Sequence, residues 1–92
     1  MLTLHDVLAL APDVISRESD GELVVVLPQD GKFFVLNGTG AEIFGLLDGQ
    51  RPLDAVAAAL HAHHPDSALE QVQADVLAFA EKILQRGAVL KR

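Results

Sequence analysis

The chain contains no cysteine, and this absence excludes several kinds of site. Without cysteine there is no disulfide bond, no thiolate nucleophile and no thiolate-bound metal. Disulfide-free chains are typical of the reducing cytosol, so the sequence predicts a cytoplasmic protein. The N-terminal segment, Met1 to Asp6, lacks the basic residues and the long apolar run of a signal peptide, and we predict none.

Long hydrophobic runs and basic residues are also scarce. No apolar stretch approaches the roughly 20 residues that a membrane helix needs, so we predict no membrane partner. Seven Lys and Arg face 13 Asp and Glu, for a formal net charge of −6. A protein that binds duplex nucleic acid normally presents a basic face to the phosphates. The charge therefore disfavours a nucleic-acid partner.

The length and apolar content predict one folded domain over residues 1–92, with a core at about 14–90. Half of the 92 residues are hydrophobic, which is enough for one compact core. Residues 1–12 are ambiguous, because their apolar run from Val7 to Ala11 is compatible with a loose helical turn that Pro12 ends.

Three short strands are predicted in the first half of the chain. They cover Val14–Glu18, Glu22–Leu27 and Lys32–Leu36. Two turns, Ser19–Gly21 and Pro28–Gly31, both end in Asp-Gly, which is a strong hairpin signal. Loops this short make neighbouring strands antiparallel, so the three strands form a meander.

The second half is predicted to be helical. Asn37-Gly38 ends the third strand, and Thr39 with Glu42 has the spacing of a capping box. A second capping box is predicted at Ser67 with Glu70. The predicted helices are Thr39–Leu47, Leu53–His63 and Ala68–Arg86, and Ala88–Leu90 can add a short strand. The fold class is therefore α+β: a winged-helix-like domain with a three-stranded antiparallel sheet followed by three helices.

Few residues have the pattern of catalytic or metal-binding groups. His61, His63 and His64 with Asp66 form one cluster, but zinc needs a fixed ligand set, and helix-terminal histidines exposed to water explain it better. Gly38-Thr39-Gly40 lacks the lysine of a phosphate-binding loop. No serine has a partnered histidine and aspartate in a known motif. We predict that the protein is not an enzyme and that it binds neither a metal nor a cofactor.

The third predicted strand is the remaining candidate for function. Phe33 to Leu36 is apolar, and an unprotected sheet edge invites another chain to pair with it. If this strand is an edge beside the long third helix, an extended peptide could add to it. Three alternatives stay open: the strand is only part of the core, the domain is a winged-helix nucleic-acid binder, or the edge associates with a second copy.

Two motifs resemble the PqqD-like family. The first is L-N-G-T-G-A-E-I-F-G-L-L-D-G, from Leu36 to Gly49, and the second is D-V-L-A-F-A-E-K-I-L-Q-R-G-A-V, from Asp75 to Val89. The resemblance extends over about residues 14–90. Two positions depart from the pattern: Pro52 stands where the family usually has Ser or Thr, and Phe44 where it often has Trp.

The resemblance implies a RiPP recognition element, a small module that binds the leader segment of a ribosomally made precursor peptide. The leader would add to the third strand, against the third helix. A separate modifying enzyme, such as a radical SAM protein or a leader protease, would then act on the peptide. Asp75 matches the family's helix-three aspartate and would accept a hydrogen bond from the leader or pair with a leader Lys or Arg. The implied peptide-binding residues are Lys32, Phe33, Phe34, Val35, Leu36, Asp75, Val76, Phe79, Lys82 and Ile83.

Overall fold

The computed structural model describes residues 1–27 and 31–92. Its elements in chain order are β1 (Leu8–Leu10), β2 (Ile15–Ser19), β3 (Glu22–Leu27), β4 (Lys32–Leu36), α1 (Gly38–Leu46), α2 (Leu53–His63), α3 (Leu69–Gln85) and β5 (Val89–Lys91). The predicted α+β class, with a three-stranded antiparallel sheet followed by three helices, is confirmed. The predicted third strand is β4 in this numbering.

The main sheet has the order β2-β3-β4, and both pairings are antiparallel. The first hairpin closes at Asp20-Gly21, where both residues have positive φ (52° and 81°), as a tight Asp-Gly turn requires. The second predicted turn, Pro28–Gly31, lies largely outside the described residues. The register aligns Arg17, Val24 and Val35 in one row across the sheet.

The N-terminal segment is a strand where the sequence allowed a helical turn. β1 pairs antiparallel with β5, with Leu8 opposite Lys91 and Leu10 opposite Val89. The structure of a short apolar run depends on what it packs against. Here β5 forms backbone hydrogen bonds with the run, and an isolated helical turn would have no such bonds. The segment also holds α2, because the carbonyls of Asp6 and Leu4 accept hydrogen bonds from the Leu53 and Asp54 amides (2.9 Å each).

Neither predicted capping box forms. α1 has Asn37 as its N-cap and α3 has Ala68, and no side-chain cap bond is present at either within the described ranges. Thr39 lies inside α1, because Gly38, with a φ of +56°, begins the helix earlier than predicted. The Glu42 carboxylate instead contacts His64 at the end of α2 (Oε1 to Nε2, 3.0 Å).

One hydrophobic core joins the helices, the terminal ribbon and the inner face of the sheet. Each helix contributes one buried stripe, and Val25 and Leu27 contribute from β3. Leu8 and Val89 bring the β1–β5 ribbon into the same core. The core therefore fixes α3 and the main sheet relative to each other, which determines the space between α3 and β4.

Candidate functional site, an open strand edge beside a helix

The free edge of β4 faces solvent next to α3. Side chains alternate along a strand, so Phe34 and Leu36 point to the helical side while Phe33 and Val35 point away. Phe33 and Val35 are 67% and 45% exposed, whereas Phe34 and Leu36 pack partly against the core. Within the described ranges no strand pairs with β4 on the side opposite β3.

A pocket of about 120 Å³ lies along this edge. Its lining residues from β4 are Phe34, Val35 and Leu36, and its lining residues from α3 are Lys82, Ile83 and Arg86. Three consecutive strand residues point to alternate faces, so a pocket that touches all three must run along the backbone at the strand's edge. Because β3 occupies the other edge, the pocket is on the free one.

One face of α3 supplies the wall of the groove. Asp75, Phe79, Lys82 and Arg86 fall within about 60° of one another around the helix. Phe79 is half-buried and lies close to Gly40, where an added Cβ would be 3.4 Å from Phe79 Cε1. The Arg86 guanidinium lies over the Phe34 ring, with 5.4 Å between Cζ and the ring centroid. The strand and the helix are thus linked across the groove.

The predicted helix residues other than Phe79 divide into three groups by position. Lys82 and Ile83 line the pocket with β4, although Ile83 is only 2% exposed and forms its floor. Val76 is fully buried in the core and presents no surface in this structure. Asp75 borders a second pocket, with Thr39 and His64, and accepts a hydrogen bond from Gln71 (Nε2 to Oδ1, 2.9 Å).

Arg86 is the groove residue missing from the predicted set. A cation at the end of α3 is favoured by the negative end of the helix dipole, which does not by itself predict a place in the groove. Its signal was present, because positions 79, 82 and 86 recur at helical spacing on one face. Arg86 belongs to the groove because its side chain lies close to Phe34. That distance depends on how α3 packs on the sheet, and neither segment determines it alone.

The histidine cluster has structural contacts. His61 Nε2 donates a hydrogen bond to the Ser67 carbonyl (2.9 Å), and His64 contacts Glu42 across α1 and α2. His63 Nδ1 is 3.5 Å from the second oxygen of Glu42. Among residues 1–27 and 31–92, no three His, Asp or Glu side chains are grouped so that they could hold a metal ion.

Comparisons with known proteins agree with this architecture. A solved structure that resembles the chain is TbiB1 in complex with the TbiA(beta) leader peptide. The TM-score is 0.81 at 22% sequence identity, over 88% of this chain and 93% of that one. No curated protein sequence matches the chain. The family model for coenzyme PQQ synthesis protein D (PqqD) matches residues 22–89, which span β3, β4 and all three helices, and the chain belongs to the PqqD family.

Proposed function

We propose that this chain binds the leader segment of a ribosomally synthesised precursor peptide and presents it to a separate modifying enzyme. The observation that carries the proposal is the pocket on the free edge of β4, lined jointly by β4 and α3. A PqqD-family chain with this open edge has the geometry that strand addition requires. The similar TbiB1 structure was solved with a leader peptide bound.

The proposed binding mode uses the backbone and the side chains differently. Backbone N–H and C=O groups of Lys32–Leu36 would pair with the leader as a fourth strand of the main sheet. Alternate leader side chains would enter the groove against Phe34, Leu36 and Phe79. The backbone pairing supplies affinity for an extended peptide, and the groove supplies the selectivity.

The proposed contact set keeps the predicted residues and adds one. Phe33 and Val35 would flank the leader on the outer side of the sheet, while Ile83 and Val76 would support the groove from below. Asp75, at the far end of the α3 face, would pair with a leader Lys or Arg. The set comprises Lys32, Phe33, Phe34, Val35, Leu36, Asp75, Val76, Phe79, Lys82, Ile83 and Arg86.

We also propose that the chain acts as a single, non-catalytic domain. The buried residues from Leu2 to Val89 form one hydrophobic core, which is what a single domain requires. In this proposal the partner enzyme, a radical SAM protein or a leader protease, carries out the chemistry. No helix in the described part of the chain is long and apolar enough to cross a membrane. A cytoplasmic location stays a prediction from the absence of cysteine.

A titration tests the proposal. The leader segment encoded beside this gene is labelled with a fluorophore, and its anisotropy is measured against increasing protein. We expect a Kd near 1 μM, which corresponds to about −8 kcal/mol. Asp75→Arg and Phe79→Ala should each weaken binding, since one reverses a charge and the other removes an aromatic ring on the face of α3 that continues from the groove.

Ser16→Ala is the matched control. Ser16 lies in the same cross-strand row as Phe34 but on the opposite edge of the sheet, so its loss should leave the affinity unchanged. Absence of binding would contradict the function. Binding that neither Asp75→Arg nor Phe79→Ala weakens would place the leader elsewhere. A shift of duplex DNA that depends steeply on salt would instead favour a nucleic-acid binder.

A further inference from the structure

One end of the groove is positively charged although the protein as a whole is acidic. The pocket beside β4 is lined by Lys82 and Arg86, and its described lining residues include no acid. Lys32 points to the same side of β4 as Phe34, because they are two residues apart. Lys82 and Arg86 thus line the pocket and Lys32 lies on the same face of β4, and these are three of the seven basic residues of a chain with net charge −6.

No acidic residue in the described ranges pairs with Lys82 or Arg86. In the part of the chain that the structure describes, neither Lys82 nor Arg86 forms an ion pair or a side-chain hydrogen bond. By contrast, Arg51 pairs with Asp48 and Lys91 pairs with Asp6. Lys82 and Arg86 are also four residues apart on one helix, a spacing at which like charges repel.

The helix dipole accounts for cations near the end of α3 but not for their placement. A cation in the last turn is favourable on any face of a helix. Here both cations lie on the face that borders β4, and the exposed face opposite carries none. The placement therefore indicates that the groove binds a negatively charged ligand, which compensates the charges of Lys82 and Arg86.

The position of Arg86 suits a carboxylate ligand. Its guanidinium lies over the Phe34 ring, a contact that holds the side chain beside β4. The N–H donors of a guanidinium point outward in its own plane, and no side-chain acceptor in the described ranges takes those of Arg86. A planar fork of donors is the geometry that binds a carboxylate through two hydrogen bonds.

We propose that the groove contains a subsite for an acidic side chain, and that the leader places an Asp or Glu carboxylate between Lys82 and Arg86. The subsite rests on the proposed function, because it assumes that a peptide strand lies along β4. A neighbouring apolar residue of the same peptide would contact Phe34 and Leu36. Peptides recognised here are thus extended, apolar and acidic at one position, in spite of the acidic net charge of the protein.

Selection from a random peptide library tests the subsite without knowledge of the precursor. A phage library of 15-residue peptides is selected against the wild-type chain, the double variant Lys82→Glu/Arg86→Glu, and the control Arg17→Glu. Arg17 lies on the opposite edge of the same sheet, so the control changes the overall field but not the groove. The neutral pair Lys82→Gln/Arg86→Gln serves as a second variant if charge reversal impairs folding.

We expect wild-type peptides to favour Asp or Glu at one aligned position. The double reversal should switch that preference to Lys or Arg, and Arg17→Glu should retain the acidic preference. A selected peptide should lose about tenfold or more in affinity for the neutral pair, as expected for a charge-assisted hydrogen bond.

The outcomes separate the two proposals. Bound peptides without an acidic preference, or with one that Arg17→Glu changes equally, would overturn the subsite and leave strand addition standing. Capture of no peptide by the wild-type chain would overturn the proposed function and the subsite together.

Discussion

The two edges of the main sheet differ in composition although they belong to one three-stranded meander. β2, Ile15–Ser19, is exposed throughout and carries two serines, an arginine and a glutamate. β4, Lys32–Leu36, has one lysine followed by four apolar residues. In the described structure neither edge pairs with a further strand, and β4 borders a pocket that α3 completes.

The difference indicates which edge is adapted to a partner. Natural sheets protect their edges with charged residues, short strands and twists, because an open apolar edge recruits other chains. β2 has this protection and β4 has little of it. An apolar edge beside a groove is costly to leave exposed unless a specific partner covers it, so the contrast supports leader binding at β4 and not at β2.

The largest effect is expected from Phe34→Ala. Phe34 lines the pocket and contacts Arg86, so its removal takes away both a wall of the groove and a cation–π contact. Leader affinity should fall by about tenfold or more, and the free energy of unfolding by about 2 kcal/mol, since the ring is half-buried. Anisotropy titration and urea denaturation measure the two quantities.

Ser16→Ala is the matched change on β2, and it should alter neither quantity appreciably. If both variants weakened the leader equally, the contrast between the edges would have no functional meaning. Circular dichroism at the titration temperature establishes that each variant is folded.

A moderate effect is expected from Gly40→Ala. The new methyl group would lie 3.4 Å from Phe79 Cε1 and 3.7 Å from Leu36 Cδ2, at the junction of α1, α3 and β4. Alanine favours the helix by up to about 1 kcal/mol, so the free energy of unfolding should rise by no more than that. The added methyl group takes up space beside the Phe79 ring, and this should weaken leader binding about threefold by the same titration. Unaltered affinity would mean that the leader does not contact this end of the groove.

A smaller effect, confined to stability, is expected from Glu42→Ala. Glu42 joins α1 to the end of α2 through His64, away from both edges. Its loss should lower the free energy of unfolding by less than about 1 kcal/mol, because the pair is partly exposed. Leader affinity should be retained. A parallel loss of affinity in the titration would show that the position of α1 controls the groove.

The smallest effect is expected from Asp48→Asn and depends on pH. Amide hydrogen bonds from Arg51 and Gln50 hold the pKa of Asp48 below its usual range. The ionised form therefore stabilises the fold above the unfolded pKa of about 4, and this contribution is lost as the pH falls further. The variant should be less stable than the wild type at pH 7, and the difference should shrink towards pH 3 in urea titrations.

Local patterns predicted the elements but not their connections. Asp20-Gly21 and the apolar run of β3 determine their own structure, and both were predicted correctly. The strand at Leu8–Leu10 was not, because its partner β5 lies some 80 residues away in sequence. The capping box at Thr39 was predicted wrongly for a related reason. Glu42 has the right spacing from Thr39, but the packing of α1 on α2 brings its carboxylate to His64 instead.

The groove shows the same division. An apolar β4 and a periodic α3 were evident, and the family motifs indicated that they act together. That Val76 is buried and that Arg86 lines the groove could not be predicted without the angle at which α3 packs on the sheet. That angle is set by the whole core, including the β1–β5 ribbon, and no single segment encodes it.

Hydrogen exchange of the two edge strands tests the central claim most directly. Amide exchange is measured with and without saturating leader peptide across Ile15–Ser19 and Lys32–Leu36. Strand addition to β4 predicts that the outward-pointing amides of Lys32–Leu36 become at least tenfold more protected, while those of Ile15–Ser19 are unchanged. Protection of β2, or bound leader with no added protection at β4, would contradict the account.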